Sequence, residues 1–117
     1  MNINQLKKHC LSKPKATCDF PFDHETLVFR VSGKMFALTN INKTPCTVNL
    51  KCDPIFAMAL RQKHKAVVPG YHMNKDHWNT VSVEEKEMTD KLVRELVDHS
   101  YELVFAKLPK KIRESIR

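Results

Sequence analysis

The sequence predicts an α+β fold, a two-layer sandwich in which helices pack on one face of an antiparallel sheet. Two observations lead to this prediction. Apolar residues alternate with a period of two between residues 26 and 51, which is typical of half-buried strands. They recur at helical spacing near both ends of the chain, most clearly over residues 92–108. The predicted order is one helix, three strands, a second helix, one or two strands and a long final helix.

A short first helix is predicted over residues 3–12, where four apolar residues recur at helical spacing. Lys13 and Pro14 end it, because a residue that precedes proline disfavours helical backbone. Residues 16–25, with the sequence ATCDFPFDHE, are predicted to form an irregular connection, since Pro21 and several polar residues interrupt any periodic pattern.

Three antiparallel strands are expected between residues 26 and 51. The first two, over residues 26–31 and 35–39, form a hairpin whose turn uses Gly33 to supply a positive φ. Residues 42–45 form the next turn, and the alternation of residues 46–51 predicts the third strand.

A second helix is predicted to start at Asp53-Pro54. An aspartate at this position accepts hydrogen bonds from free backbone N–H groups, and a proline in the first turn loses no bond. Four apolar residues are predicted to form the buried stripe of this helix: Ile55, Phe56, Ala59 and Leu60. The cations of its last turn, Arg61 among them, are expected to face water and to favour the negative end of the helix dipole.

Alternation returns over residues 78–83 and predicts one more strand, paired with Val67-Val68. The final helix begins at Thr89, whose side chain can cap it, while Met88 and Val93 can form a hydrophobic staple. Its wide apolar face is expected to lie across the sheet. That face comprises Leu92, Val93, Leu96, Val97, Ser100, Tyr101, Val104, Phe105 and Leu108. The last eight residues continue as a short basic helix.

Length and composition fit a single domain over residues 1–117. The chain is 42% hydrophobic and 28% charged, which is ordinary for a globular protein and well above the apolar content of disordered chains. It shows no apolar leader segment and no run of eighteen apolar residues, so a cytosolic protein without membrane association is expected. The four cysteines form no C-x-x-C pair and are expected to be reduced and mostly buried.

The net charge of +7 is unevenly distributed along the chain. Residues 84–102 carry seven acidic and three basic side chains, which leaves an excess of +11 on the rest. Such an excess attracts polyanions at low salt, but it also keeps many small proteins soluble. The charge therefore favours nucleic-acid binding without establishing it.

Residues 69–81, with the sequence PGYHMNKDHWNTV, concentrate polar and aromatic groups and are the predicted binding segment. Its lysine, histidine and asparagine side chains can donate to phosphates, and its tyrosine and tryptophan rings offer flat faces for bases. The candidate nucleic-acid-binding residues are Tyr71, His72, Asn74, Lys75, His77 and Trp78, with Lys34 and Lys51 flanking the same edge. In the alternative interpretation Trp78 belongs to the core, and Asn74 and Asn79 only satisfy turn backbone.

Metal binding and catalysis have less support. His72 and His77 are five positions apart rather than the four that align two ligands on a helix, and H-E-x-x-H is absent. Only two glycines, Gly33 and Gly70, are present, so a glycine-rich phosphate cradle or oxyanion site is not expected. We therefore expect no catalytic residue, no metal and no cofactor.

Four stretches of the chain resemble the MmcQ/YjbR family of small bacterial proteins: TLVFRVSGKMFALT, VNLKCDP, PGYHMNKDHWNTV and DHSYELVFAKLPKKIR. The most specific pieces are GKMFAL and the string from Tyr71 to Val81. The family often has a glycine before its first strand, where this chain reads Pro21 to Glu25. The resemblance implies a two-layer α+β domain similar to CyaY-like and secretion-chaperone-like folds. It also carries the family's provisional label of DNA-binding, drawn from likeness to a double-wing architecture.

The resulting interpretation is a cytosolic, non-enzymatic domain that binds DNA or another nucleic acid through the segment before its last strand. One alternative is a protein-interaction or chaperone-like module that receives a partner segment on the open sheet face or an edge strand. A second alternative is a small-ligand binder or an enzyme with a pocket at residues 71–78.

Overall fold

The computed structural model describes all residues from Met1 to Arg117 and contains four helices and six strands. In chain order these are α1 (Ile3–Leu11), β1 (Ala16–Asp19), β2 (Thr26–Val31), β3 (Lys34–Asn40), β4 (Thr47–Lys51), α2 (Pro54–Lys63), β5 (Val67–Pro69), β6 (Trp78–Ser82), α3 (Asp90–Ala106) and α4 (Lys110–Ile116). The strands form one sheet in the order β1-β2-β3-β4-β6-β5, and all neighbours are antiparallel. The predicted α+β class is confirmed.

The predicted meander of three strands is confirmed as β2, β3 and β4. Gly33 takes a φ of 78° in the turn between β2 and β3, as its position in the hairpin predicted. Ser32 precedes it with a φ of 48°, so both central residues of the turn are left-handed. This is the backbone that two-residue hairpins use, because it matches the twist of the flanking strands.

The expectation of an irregular connection over residues 16–25 is wrong for its first part. Residues 16–19 form β1, which pairs with β2 so that Cys18 lies opposite Phe29. Only alternate residues of β1 are partly buried, because it is an edge strand of four residues. Such a short pattern is too weak to separate a strand from a loop by periodicity.

The strand predicted near residue 78 is β6, and it lies inside the sheet between β4 and β5. Val81 of β6 is opposite Val48 of β4 on one side and Val67 of β5 on the other. The predicted pairing with Val67-Val68 is therefore confirmed. β5 has only three residues and closes this edge of the sheet.

All four helices pack on the same face of the sheet. A single cluster of 25 buried residues joins this face to α1, α2 and α3, and α4 packs against it through Ile112 and Ile116. In α3, Thr89 accepts a hydrogen bond from the N–H of Leu92 at 3.1 Å, which confirms the predicted cap. The predicted apolar face of α3 is buried, apart from the half-buried Leu92. None of the helices combines the length and hydrophobicity that a membrane-spanning helix needs.

The buried stripe predicted for α2 is confirmed for Leu60 and wrong for Ile55, Phe56 and Ala59. Ile55 is 81% exposed and Phe56 is 40% exposed, whereas the buried residues of the helix are Ala57 and Leu60. The inward face is rotated because Arg61, expected to face water, turns towards the β5–β6 connection and is half-buried. Apolar periodicity does not predict the inward face of a helix when that face includes a half-buried arginine.

Ser100 fastens α3 to the sheet through two hydrogen bonds. Its hydroxyl accepts from the N–H of Lys51 at 2.9 Å and donates to the C=O of Phe36 at 2.5 Å. The hydroxyl thus bridges β3 and β4 where the two strands separate, since their direct pairing involves only Ala37 with Leu50 and Leu38 with Asn49. This explains why a polar residue occupies the apolar face of α3.

Replacing Ser100 with alanine is expected to lower the free energy of unfolding by about 1–3 kcal/mol, because it leaves buried backbone groups without partners. Urea denaturation monitored by circular dichroism measures the change. Ser115→Ala is the matched control, since this exposed hydroxyl bonds only the local carbonyl of Ile112, and a change within about 0.5 kcal/mol is expected. Equal stability of the two variants would contradict the bridging role.

Candidate functional site

The candidate site lies on the face of the sheet that the helices leave uncovered, hereafter the open face. A second, small cluster of three buried residues forms there: Val28, Leu38 and Trp78. Met35 of β3 and Met73 of the β5–β6 connection pack against it while remaining partly exposed. The loop of residues 70–77 therefore supplies the cover that a helix supplies on the other face.

Arg61 and Gly70 determine the path of this loop. The Nε of Arg61 donates to Oδ1 of Asn79 at 2.6 Å, and its Nη2 donates to the C=O groups of Trp78, at 3.2 Å, and Lys75. The N–H of Gly70 donates to the C=O of Trp78 at 2.8 Å. A Cβ on Gly70 would lie 2.8 Å from Cβ of Trp78, so only glycine fits this close approach.

A closed set of hydrogen bonds holds the backbone of Tyr71 against the sheet. Its N–H donates to Oγ1 of Thr80 at 3.0 Å, and that hydroxyl donates to Oδ1 of Asn49 at 2.6 Å. The Nδ2 of Asn49 donates back to the C=O of Tyr71 at 3.3 Å. Asn49 and Thr80 are directly opposite each other on β4 and β6, so strand register sets the position of the tyrosine.

The side chain of Tyr71 points into solvent, although its backbone is fixed. The residue is 69% exposed, and its ring lies beside the imidazole of His72 with centroids 3.9 Å apart. His72 has a φ of 59°, in the left-handed region that residues with a Cβ disfavour. Backbone of this kind persists only where surrounding contacts impose it, and it is often found at binding sites.

A groove of about 460 Å³ lies on the open face beside Tyr71 and His72, hereafter the open-face groove. Met35 and Leu38 contribute apolar surface to it, and Phe22 lines it from the connection between β1 and β2. Its volume falls within the range of roughly 300–1,000 Å³ that is typical of small-molecule sites. Its polar lining residues are Asp23, Thr26, Thr39, Asn40, Lys43, Thr47, Asn49 and Thr80.

Asp23 gives the open-face groove a negative charge. Its Oδ1 accepts hydrogen bonds from the N–H of Thr26 at 2.6 Å and the N–H of Glu25 at 2.8 Å. These backbone donors hold the pKa of the Asp23 carboxyl below its usual value, so it is ionised at neutral pH. The segment from Pro21 to Glu25, where the family often has a glycine, is thus closed by an aspartate turn.

A second cavity, of about 370 Å³, lies where β3 begins, β4 ends and α3 ends. Three lysines line it, Lys34, Lys51 and Lys107, and we call it the lysine notch. None of the three forms an ion pair with a carboxylate. Burial, with the nearby charge of Lys107, lowers the pKa of Lys51. Met35 lines both the lysine notch and the open-face groove, so the two cavities are neighbours.

The structure divides the predicted site residues into separate groups. Tyr71 and His72 line the open-face groove, whereas Lys34 and Lys51 line the lysine notch. Three predicted residues, Asn74, Lys75 and His77, are exposed on the loop and line neither cavity.

Asn74 and Trp78 follow the alternative interpretation of the sequence. The side-chain oxygen of Asn74 accepts from the N–H of Asp76 at 3.0 Å. The backbone C=O of Asn74 accepts from the N–H groups of His77 and Trp78, so this residue organises the turn. The prediction that Trp78 offers a stacking face is wrong. Trp78 is only 9% exposed, because Met35 and Met73 pack against the small cluster to which it belongs. Asn79 is buried and bonds Arg61 and the C=O of Ala57 rather than a turn.

Several residues that shape the site were not predicted from the sequence. Asn49 and Thr80 carry a usable signal, since strand alternation places both on the open face as polar residues. No such sequence signal marks Phe22, Asp23 and Lys107, because only the tertiary structure brings these residues to their cavities. No group of three or more histidine, cysteine, aspartate or glutamate side chains is arranged to hold a metal ion.

Comparison with known proteins identifies relatives over nearly the whole chain. A family model described as YjbR matches residues 11–103. The chain is 35% identical to "Uncharacterized protein YbdF" of Escherichia coli O157:H7 over 95% of this chain and 90% of that protein. It is 33% identical to "Uncharacterized protein YjbR" of Escherichia coli strain K12 over 97% of this chain and 96% of that protein.

Solved structures agree with the fold. A crystal structure of the Deinococcus radiodurans protein DR2400 superposes with a TM-score of 0.92 at 39% identity, covering 98% of this chain and 87% of that one. A crystal structure of a Pseudomonas syringae protein gives a TM-score of 0.77 at 30% identity, covering 89% of this chain and 99% of that one.

Arg61→Ala is expected to loosen the loop of residues 70–77 and lower the free energy of unfolding by about 1–3 kcal/mol, because it leaves Oδ1 of Asn79 and the C=O of Lys75 without donors. Amide hydrogen exchange in the loop should accelerate. Arg61→Lys should restore little, since an ammonium group lacks the planar fork of guanidinium. Lys63→Ala, an exposed change in the same helical turn, is the control. Loop exchange as slow in Arg61→Ala as in Lys63→Ala would refute the role of Arg61.

Proposed function

The chain belongs to the YjbR family, and from the cavity where β3 begins and where β4 and α3 end we propose that it is a non-enzymatic domain that binds nucleic acid. The observation that carries the proposal is the lysine notch. Three ammonium groups surround one cavity, and none has a carboxylate partner. Phosphate groups are the ligands that such a cluster of cations favours.

The partial burial of Lys51 beside another lysine is unfavourable in the free protein. The lowered pKa of Lys51 records this, because burial and the neighbouring charge of Lys107 both disfavour its charged form. A phosphate in the lysine notch would accept charge-assisted hydrogen bonds and offset the repulsion. Lys75 and His77, exposed on the loop, add donors outside the notch.

The distribution of charge along α3 also favours binding of a polyanion at the lysine notch. The acidic segment begins with Glu84, Glu85 and Glu87, which precede α3, and Asp90 is the first residue of the helix. Lys107 follows its last residue, about 25 Å away at 1.5 Å per residue. A polyanion is therefore attracted more strongly towards the lysine notch than towards the opposite end of the helix.

The buried cysteines support a non-enzymatic function. Burial raises the pKa of Cys10 to about 12 and that of Cys52 to about 11. Cys46 is shifted in the same direction by burial. Thiols with such pKa values stay protonated near neutral pH, and the thiolate is the nucleophilic form. Their predicted role as buried apolar side chains fits three of the four, since only Cys18 is partly exposed.

Lys107→Ala is expected to weaken binding to a labelled DNA duplex of random sequence, measured by fluorescence anisotropy between 50 and 200 mM salt. One lost phosphate contact should reduce the slope of log affinity against log salt by about 0.9. Lys34→Ala and Lys51→Ala should behave alike. Lys91→Ala is the matched control, because this exposed lysine lies near the other end of α3 beside Glu95. Identical slopes for Lys107→Ala and Lys91→Ala would exclude the lysine notch as the contact surface.

A protein partner is the second candidate, and the exposed apolar surface of α2 favours it. Ile55, Phe56 and Met58 are all exposed on this helix, and clustered exposed apolar residues often mark interaction sites. Pull-down from nuclease-treated lysate with wild-type protein and with Ile55→Asp tests this candidate. A partner lost in Ile55→Asp, with DNA binding unchanged, would assign protein binding to α2.

A further inference from the structure

Two exposed aromatic rings line the open-face groove from different parts of the chain. Tyr71 comes from the loop before β6, and Phe22, which is 65% exposed, comes from the connection between β1 and β2. Large apolar rings that remain in solvent lose the stabilisation that burial would give them. Two of them on one groove indicate a ligand with flat apolar faces.

From this groove we propose that the protein prefers single-stranded over duplex nucleic acid and that the open-face groove receives unpaired bases. The inference rests on the proposed function, since the lysine notch supplies the phosphate contacts. In a duplex the faces of the bases are stacked on one another and only their edges are accessible in the grooves. Aromatic side chains can stack only on bases that are unpaired.

Tyr71 is fixed in a way that suits stacking. The hydrogen bonds with Asn49 and Thr80 hold its backbone against β4 and β6, while its ring lies exposed beside His72. His72 is kept in left-handed backbone at the same point. A ring on a rigid support loses less conformational freedom on binding than a ring on a mobile loop.

The lining of the open-face groove matches the two-sided chemistry of a base. Met35, Leu38 and Met73 offer apolar surface to its face. Thr47 and Lys43 offer hydrogen-bonding groups to its edge. Unpaired bases carry both kinds of surface, because their Watson–Crick edges are free to form hydrogen bonds.

The two cavities suit different parts of a bound strand. Asp23 and Lys43 both line the open-face groove, and the carboxylate of Asp23 can accept from the amino group of a base. The lysine notch is the neighbouring cavity, and Met35 lines both. The sugar-phosphate backbone thus passes along the lysine notch, and the adjacent bases turn across Met35 into the groove.

The test compares labelled oligothymidylate, oligouridylate and a DNA duplex of the same length by fluorescence anisotropy in one buffer. Single strands are expected to bind more tightly than the duplex. Tyr71→Ala should weaken single-strand binding by between about fivefold and a hundredfold, the range expected for loss of one stacked base. Its affinity for duplex should not change. Tyr71→Phe should stay within about twofold of wild type because the ring is kept.

Phe20→Ala is the matched control, since Phe20 is an exposed aromatic residue that does not line the open-face groove. Phe22→Ala should weaken single-strand binding, and Phe20→Ala should not. Thermal unfolding by circular dichroism checks that each variant is folded. All three aromatic side chains are solvent-exposed, so their removal is not expected to unfold the protein.

The outcomes separate this inference from the proposed function. Duplex binding that depends on Lys107, without preference for single strands and without an effect of Tyr71→Ala, overturns the inference and leaves the proposed function standing. Absence of binding to all three probes overturns both. Single-strand preference that is lost in Tyr71→Ala supports the inference, and the tighter of the two strands then identifies the nucleic acid as DNA or RNA.

Discussion

The helices pack against one face of the six-stranded sheet, so the open face is either covered by other parts of the chain or left exposed to solvent. The helix side carries a cluster of 25 buried residues, whereas the open face carries a cluster of three. A sheet residue such as Trp78 can be buried on the open face only if chain from elsewhere covers it. The loop of residues 70–77 and the side chain of Met35 provide part of that cover. The remainder of the face stays concave and accessible, which is the origin of the groove.

Polar residues, together with the apolar packing of Met73, attach this cover to the sheet. Arg61 joins α2 to the loop, and Asn49 and Thr80 join β4 and β6 to Tyr71. Hydrogen bonds are directional, so they place a short loop more sharply than apolar contacts of the same size. They also have a structural consequence elsewhere. Because Arg61 faces inward, the first turn of α2 is rotated outward, and Ile55 is left in solvent.

Much of the fold could be predicted from periodicity, and the site could be predicted only in part. Strands β2 to β4 and helix α3 are long and cleanly periodic, so their patterns identified them. β1 is too short for that, and α2 has an inward face that contains an arginine. In the site, the residue types of 69–81 indicated a surface with aromatic and cationic groups. They did not distinguish the exposed ring of Tyr71 from the buried ring of Trp78, because burial depends on what covers each residue.

The lysine notch is formed by tertiary structure and not by a local sequence pattern. Lys34, Lys51 and Lys107 are far apart in sequence, so no local pattern requires them to meet. The chain has 13 acidic residues, and carboxylates pair with other lysines and arginines in several places, such as Asp98 with Lys13 and Glu102 with Arg117. Burial and the nearby charge of Lys107 both disfavour the charged form of Lys51, and this is the basis of the proposal that an anion binds there.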